Sequence, residues 1–291
     1  MLLEDESRVH ISEHAHFDIE DSDSRQMPLD IKISASEVTA SRAQVYQQDV
    51  IEFLSGLPSE SIDLIVTDPA YSGMNQHLKL GKGRIVGEYN QKGIDGKWFA
   101  EFHDTPENYR LFLEQCFRVM KPDRHIFIMF DSYTMLTLGA VVRDYFNVKN
   151  IITWDKVNIG MGHYFRRQTE FILFASKGKR PVSRRDIPDI WKIKRLHRAP
   201  YPTQKPVELF EAMIASSKSK DDAEFVVCDP FVGSGSAAVA ALRQGVSFIG
   251  CDISAKSIEL CRDRINIYDI EKVDIYQAKP AYNPETQKKF W

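Results

Sequence analysis

The run Phe225-Val226-Val227-Cys228 is short, apolar and β-branched, and it ends at Asp229-Pro230. The chain then passes through Phe231-Val232-Gly233-Ser234-Gly235-Ser236 into an Ala-rich helical stretch. A buried strand that turns on glycine straight into a helix has few folds open to it. Gly233 and Gly235 permit the tight turn and let the backbone approach a ligand with no Cβ in the way. The helix N-terminus adds unpaired N–H groups and a partial positive charge. One strand later, Ile249-Gly250-Cys251-Asp252 ends in a carboxylate placed to accept both hydroxyls of a ribose. The βαβ unit therefore points to a nucleoside cofactor, whereas the glycines alone fit a plain packed turn equally well. The spacing departs from GxGxxG, with Ala238 as the third small residue, and the Lys-Ser/Thr of a P-loop is missing.

The rest of the chain alternates in the same way. Strand-like runs lie at Ala43–Asp49, Ile62–Thr67, His125–Phe130, Asn150–Trp154, Glu170–Ala175 and Ser247–Cys251. Helical spacing marks Val50–Leu57, Glu107–Met120 and Lys205–Ser217, and further helices start from Ser234 and Ser254. Lys121-Pro122-Asp123 is expected to end the second of these helices. Strands alternating with helices predict an α/β fold with a parallel sheet covered on both faces. Residues 72–105, rich in Gly, Lys and Asn, show no period and read as a long loop. Residues 1–42 are an acidic arm, either solvated or docked on a partner, ahead of a catalytic domain over 43–291.

A chain of 291 residues, 43% hydrophobic, can bury a sizeable core. Its net charge of −3 gives no global case for nucleic-acid binding, so any such case rests on where the charges lie. The four cysteines are scattered through apolar segments without a CxxC pair, and no metal site or disulfide framework is expected. With no membrane-spanning stretch and an acidic Met1–Ser7, a cytoplasmic protein is expected.

Asp68-Pro69-Ala70-Tyr71 follows the Ile62–Thr67 strand directly, at the carboxyl edge of the sheet where open α/β folds bind ligands. An exocyclic amine on a base is a weak nucleophile because its lone pair is delocalised into the ring. Asp68 and the Pro69 carbonyl can accept its two N–H bonds, and Tyr71 can stack on a base extruded from a duplex. Taken alone, the tetrapeptide is also an ordinary strand-ending turn.

Together these segments resemble the beta group of DNA amino-methyltransferases, in which the catalytic motif precedes the cofactor motif. Asp68–Tyr71 is similar to that family's DPPY motif, and Asp229–Gly235 to its DPFxGSG motif. Tyr201-Pro202-Thr203-Gln204-Lys205-Pro206 is similar to its HPTQKP segment. Phe165–Phe174 resembles the strand carrying a His-Glu pair, with Thr169 in place of His and Glu170 retained. The resemblance runs from about Gln44 to Ile267. It implies a Rossmann-like class I methyltransferase fold, with a seven-stranded, mostly parallel sheet, one antiparallel strand and circularly permuted motif order. It also implies S-adenosyl-L-methionine as cofactor, double-stranded DNA as partner and adenine N6 as target, with a homodimer left open.

Residue by residue, the resemblance places Asp68, Pro69, Ala70 and Tyr71 at the target amine. Asp229, Phe231, Gly233, Ser234, Gly235, Ser236 and Asp252 would line the cofactor pocket, with Asp49, Asp68, Thr203 and Lys205 completing it. Ala70 departs from the family's second Pro and loosens φ at the corner. Asp rather than Ser at position 68 favours adenine N6 over cytosine N4. Residues 177–200 are strongly basic and stand where the family carries target recognition. Candidate DNA contacts are Lys79, Arg84, Arg166, Arg184, Arg185, Lys194 and Arg195, with Trp191 as either a wedge or a loop anchor. A solvated basic surface is the plainer account of the same run. Two other classes stay open: an enzyme acting on RNA or a protein glutamine, and a non-catalytic DNA-binding relative.

Overall fold

The computed structural model of the chain describes residues 42–69, 105–160, 165–196, 199, 201, 203–272 and 274. The expected acidic arm, save Arg42, and the 72–105 loop, save Thr105, lie outside these residues.

In chain order the elements are β1 (Ala43–Gln47), α1 (Val50–Gly56), β2 (Ile62–Thr67), α2 (Pro106–Val119), β3 (Met120–Phe130), α3 (Ser132–Leu138), a 3-10 turn (Val141–Asp144), β4 (Asn147–Asp155) and β5 (Thr169–Lys177). There follow β6 (Ile190–Lys192), α4 (Val207–Ser217), β7 (Val226–Asp229), α5 (Ser236–Arg243), β8 (Ser247–Asp252) and α6 (Ala255–Glu271). Among the described residues they build one eight-stranded sheet in the order β1-β8-β7-β2-β3-β5-β4-β6. Every neighbouring pair is parallel except the two that β5 makes with β3 and β4. The mostly parallel sheet with one antiparallel strand is thus present, and the three-residue β6 adds an eighth strand to the seven expected.

The central strands read as unbroken apolar runs because both of their faces are buried. In β2, Leu64 and Val66 pack into one core layer and Ile65 into the other. In β3, Phe127 and Met129 face the first layer while Ile126, Ile128 and Phe130 face the second. Helices α4, α5 and α6 close the first layer, and α1 and α2 close the second. Truncating a wholly buried side chain such as Leu64 to Ala is expected to cost about 2–5 kcal/mol.

The strand after α2 starts earlier than the sequence suggests. The helix ends at Val119, just ahead of Lys121-Pro122-Asp123 as expected, but that stretch already belongs to β3, which runs from Met120. The register between β2 and β3 shifts over this stretch, where Asp123 takes a left-handed φ of 54°. A bulge there absorbs the proline, which cannot donate to a regular ladder.

The amino edge of the sheet is tied by charge. Asp63, wholly buried, accepts from Lys121 Nζ at 2.8 Å, Arg124 Nε at 2.9 Å and the Val226 amide at 3.0 Å. Arg124 and Arg180 both reach Asp222. Of the described helices, none is long and apolar enough to cross a membrane.

Candidate active site

Asp68 stands one residue beyond β2, and Asp229 ends β7, its parallel neighbour. The two expected motifs, some 160 residues apart in sequence, therefore meet at one carboxyl edge. Pro69 is buried there, while Ala70 and Tyr71 lie outside the described residues.

Asp68 is held by a cation that arrives from 137 residues away. Lys205 Nζ donates to Asp68 Oδ2 and also lies 3.7 Å from Glu170 Oε2. Glu170 in turn accepts from Lys156 Nζ at 3.0 Å. The result is an alternating row, Asp68–Lys205–Glu170–Lys156, along the carboxyl edge. It forms because β5 is antiparallel: its beginning, not its end, reaches the edge where β2 and β4 finish.

Burial raises the Asp68 carboxyl above its ordinary value, Lys205 opposes this, and Glu170 adds to the rise. Burial alone would lower the Lys205 ammonium, but the Asp68 and Glu170 carboxylates override it and push it up to about 12. Burial works to raise Glu170 as well, yet Lys205 and Lys156 hold it below the usual carboxylate range. Lys205 is thus a fixed positive charge shared between two acids.

The glycine turn is built on the next two strands. Gly233 and Gly235 have φ of 49° and 81°, both in the left-handed region where a Cβ is penalised. A Cβ on Gly235 would also meet Cys261 Sγ at 2.5 Å. Asp252 accepts from the Gly233 amide at 3.0 Å and the Ser254 amide at 2.9 Å. Asp229 accepts from the Phe231 amide at 3.0 Å, and burial pushes its carboxyl well above the usual range. Burial likewise raises Asp252. Gly235 is the N-cap of α5, and no side chain caps that first turn. Phe231 lies edge-on to Phe112, with ring centroids 5.7 Å apart.

One further expected residue ties this turn to its neighbour. Ser236 donates its hydroxyl to the Lys205 carbonyl at 2.8 Å, binding the Tyr201–Pro206 segment to α5. Thr203 is exposed and left-handed, with φ of 59°, an unusual conformation for a β-branched residue. Asp49 caps α1, where its Oδ1 accepts from Ile51 and Glu52. It reaches the same edge because β1 pairs with β8, Gln47 opposite Asp252.

The chain belongs to a DNA methylase family.

The family model described as DNA methylase, N6_N4_Mtase, matches residues 62–263. Type II methyltransferase M2.DpnII of Streptococcus pneumoniae is 30% identical over 242 residues, covering 75% of this chain and 87% of that protein. The solved M1.HpyAVI–SAM complex matches with a TM-score of 0.54 at 20% identity, over 76% of this chain and 99% of that one. The PvuII DNA methyltransferase, which is cytosine-N4-specific, matches with a TM-score of 0.56 at 15% identity, over 87% and 92%. These two likenesses speak for the fold.

The methylase donor, S-adenosylmethionine, fits the residues present. The uncapped turn of α5 suits a carboxylate, and Asp252 stands where a ribose would offer its hydroxyls. The basic segment is not one surface. Lys177 sits at the amino edge, where its Nζ donates to the carbonyls of Met120 and Phe117, and Arg180 joins Asp222. At about 3.3 Å per residue, Lys177 lies roughly 23 Å along β5 from Glu170. Ser183 is bonded to the last turn of α4, so Arg184 and Arg185, both exposed, follow it at that far edge. Arg184 pairs with Asp186. The chain returns through β6, and Lys194 and Arg195 then arrive at the carboxyl edge, Arg195 against the Ile159 carbonyl. Arg166, also on this side, donates to the Gly160 carbonyl at 2.7 Å.

Trp191 is 7% exposed, packs toward Phe127 and donates to the Pro188 carbonyl at 2.9 Å. It is the anchor of this segment, and the wedge reading is set aside because its ring is already in the core. Lys79 and Arg84 lie outside the described residues. Sequence reasoning left out Lys156, Arg264 and Asp274. Nothing local marks Lys156; Arg264 could have been flagged as a charge on the buried stripe of an apolar helix face.

Proposed function

We propose that this methylase transfers a methyl group to the exocyclic N6 of adenine in double-stranded DNA, on a base extruded into the Asp68 corner. The observation that carries the reading is the Asp68–Lys205 pair at the carboxyl edge, beside the glycine turn. S-adenosylmethionine, when bound, supplies an electrophilic methyl group on a sulfonium that leaves as a neutral thioether.

The chain's own residues do the rest. Asp68 and the Pro69 carbonyl accept the N–H bonds of the amine and draw it toward sp³ geometry, which frees the nitrogen lone pair. Asp68 then takes the proton that the methylated nitrogen must lose, which requires a carboxylate that is ionised beforehand. Lys205 favours that ionised form, opposing the burial that favours the neutral acid. Glu170 and Lys156 hold the Lys205 ammonium in place. Asp229, Gly233, Gly235 and Asp252 form the cofactor side, with Asp49, Phe231, Ser234, Ser236 and Thr203 around it. Lys194, Arg195 and Arg166 meet backbone phosphates.

Adenine rests on Asp at position 68, and cytosine N4 is the competing target. Tritiated methyl transfer to unmethylated genomic DNA, followed by chromatography of the nucleosides, decides between them. Label in N6-methyladenine is expected. Label in N4-methylcytosine would overturn the base assignment, and no label with cofactor bound would overturn the transfer itself.

A further inference from the structure

A guanidinium is buried behind the cofactor turn. Arg264, in the middle of α6, is 1% exposed. Its Nε and Nη2 donate to the two carboxylate oxygens of Asp274 at 3.1 and 2.7 Å, a bidentate fork. Its Nη1 donates to the Ser234 carbonyl at 2.6 Å, and lies 3.2 Å from Ser234 Oγ and 3.3 Å from Ser236 Oγ. A guanidinium so buried is costly unless its charge and its donors are met, and here the fork meets the charge while the turn takes the Nη1 donors.

The placement of those donors is specific. Ser234 stands between the two left-handed glycines, and the peptide that joins it to Gly235 is held from both sides. Arg264 takes its carbonyl, and its N–H donates to the Val232 carbonyl at 2.8 Å. That peptide sets the direction in which the first N–H groups of α5 point. Ser236, the second contact, also bonds the Lys205 carbonyl, so the same guanidinium reaches the segment that places the cation on Asp68. Arg264 and Asp274 both lie beyond the 62–263 stretch that the family model matches.

We propose that Arg264 and Asp274 form a positioning clamp that holds the turn in its cofactor-binding shape, and that Asp274 thereby contributes to S-adenosylmethionine affinity. This rests on the reading that the turn is the cofactor site. Neither residue touches the reacting atoms. Their effect belongs in cofactor binding, not in the transfer step.

The test uses the full chain with Asp274→Asn, Asp274→Glu and Asp252→Ala. Cofactor binding is read by calorimetry without DNA, and KM for cofactor and kcat are read with DNA. Losing a buried charge-assisted fork is expected to weaken binding and raise KM about tenfold in Asp274→Asn, with kcat at saturation little changed. Asp274→Glu, which keeps the charge, should recover most of the affinity. Cofactor binding by Asp274→Asn within about twofold of the parent, or a loss confined to kcat, would overturn the clamp. Should Asp274→Asn fail to fold, the apolar pair Arg264→Met with Asp274→Leu removes the buried charges together. Parental affinity in that folded double variant would also overturn it, and weakened affinity would support it. Asp252→Ala separates the two readings: if it binds cofactor normally, the turn is not the cofactor site, whatever the clamp does.

Discussion

Ser236 donates its hydroxyl to the Lys205 carbonyl at 2.8 Å, so the helix that opens on the glycine turn also holds the residue whose ammonium sits on Asp68. The glycine turn and the Asp68 corner are joined through one backbone carbonyl. Helix α4 starts only at Val207, which leaves the Lys205 carbonyl outside the helix and available to Ser236.

Lys205 and Glu170 act on Asp68 in opposite directions. Lys205 lowers the Asp68 carboxyl, so Lys205→Met should raise it further and move the acidic limb of the kcat/KM profile to higher pH. A loss of about a hundredfold at neutral pH should accompany the shift. Glu170 raises Asp68, so Glu170→Gln should move the same limb to lower pH. Rate profiles for both variants measure the signs directly.

The two turn glycines should differ in tolerance. At Gly233 the nearest atoms to an added Cβ belong to Tyr201, at an ordinary contact distance of 3.5 Å, so Gly233→Ala should cost about the 1–2 kcal/mol of a left-handed residue. At Gly235 the same conformation adds a collision with Cys261, and the cost should reach about 3 kcal/mol or more. Thermal melting without cofactor ranks them.

His125 should make stability pH-dependent. Its Nε2 lies 2.9 Å from the Arg180 carbonyl, which can only accept, so Nε2 carries the hydrogen. Nδ1, 3.0 Å from the Ser217 hydroxyl, is then the acceptor of a neutral ring. Burial lowers its pKa below the unfolded value. The stability tied to this ring is therefore complete above about pH 6.5 and is lost as pH falls from there through the folded pKa. Urea unfolding at pH 7 and pH 5 should show a larger drop in the parent than in His125→Asn.

Much of this was legible in the sequence, and the gaps have physical causes. The runs Ile62–Thr67 and Phe225–Cys228 are buried on both faces, so their strands and the acids that end them could be read directly. The direction of a strand is not a local property. Nothing in Thr169–Lys177 says that it runs antiparallel, so the basic residues after it read as one patch, although the structure divides them between two edges. The short α3 and β6 were also missed: β6 is an edge strand of three residues fixed by Trp191, whose burial no local pattern reveals. The Lys205–Asp68 contact and the Arg264–Asp274 fork are tertiary pairings without a period.

That division gives a test on DNA. Lys194→Gln with Arg195→Gln should weaken DNA binding and reduce the salt slope by about 0.9 for each phosphate no longer neutralised. Arg184→Gln with Arg185→Gln, at the far edge, should change neither. Fluorescence anisotropy across a salt series compares the two pairs, and equal effects would mean that DNA spans both edges.

The most direct test of the Asp68 mechanism is single-turnover methyl transfer by Asp68→Asn, with cofactor and DNA binding measured on the same preparation. Asparagine keeps the shape but cannot take the proton. Both ligands are expected to bind within a few fold of the parent, while the transfer rate falls by about 10³-fold or more. Transfer within tenfold of the parent, with binding intact, would contradict the role given to the Asp68 carboxylate.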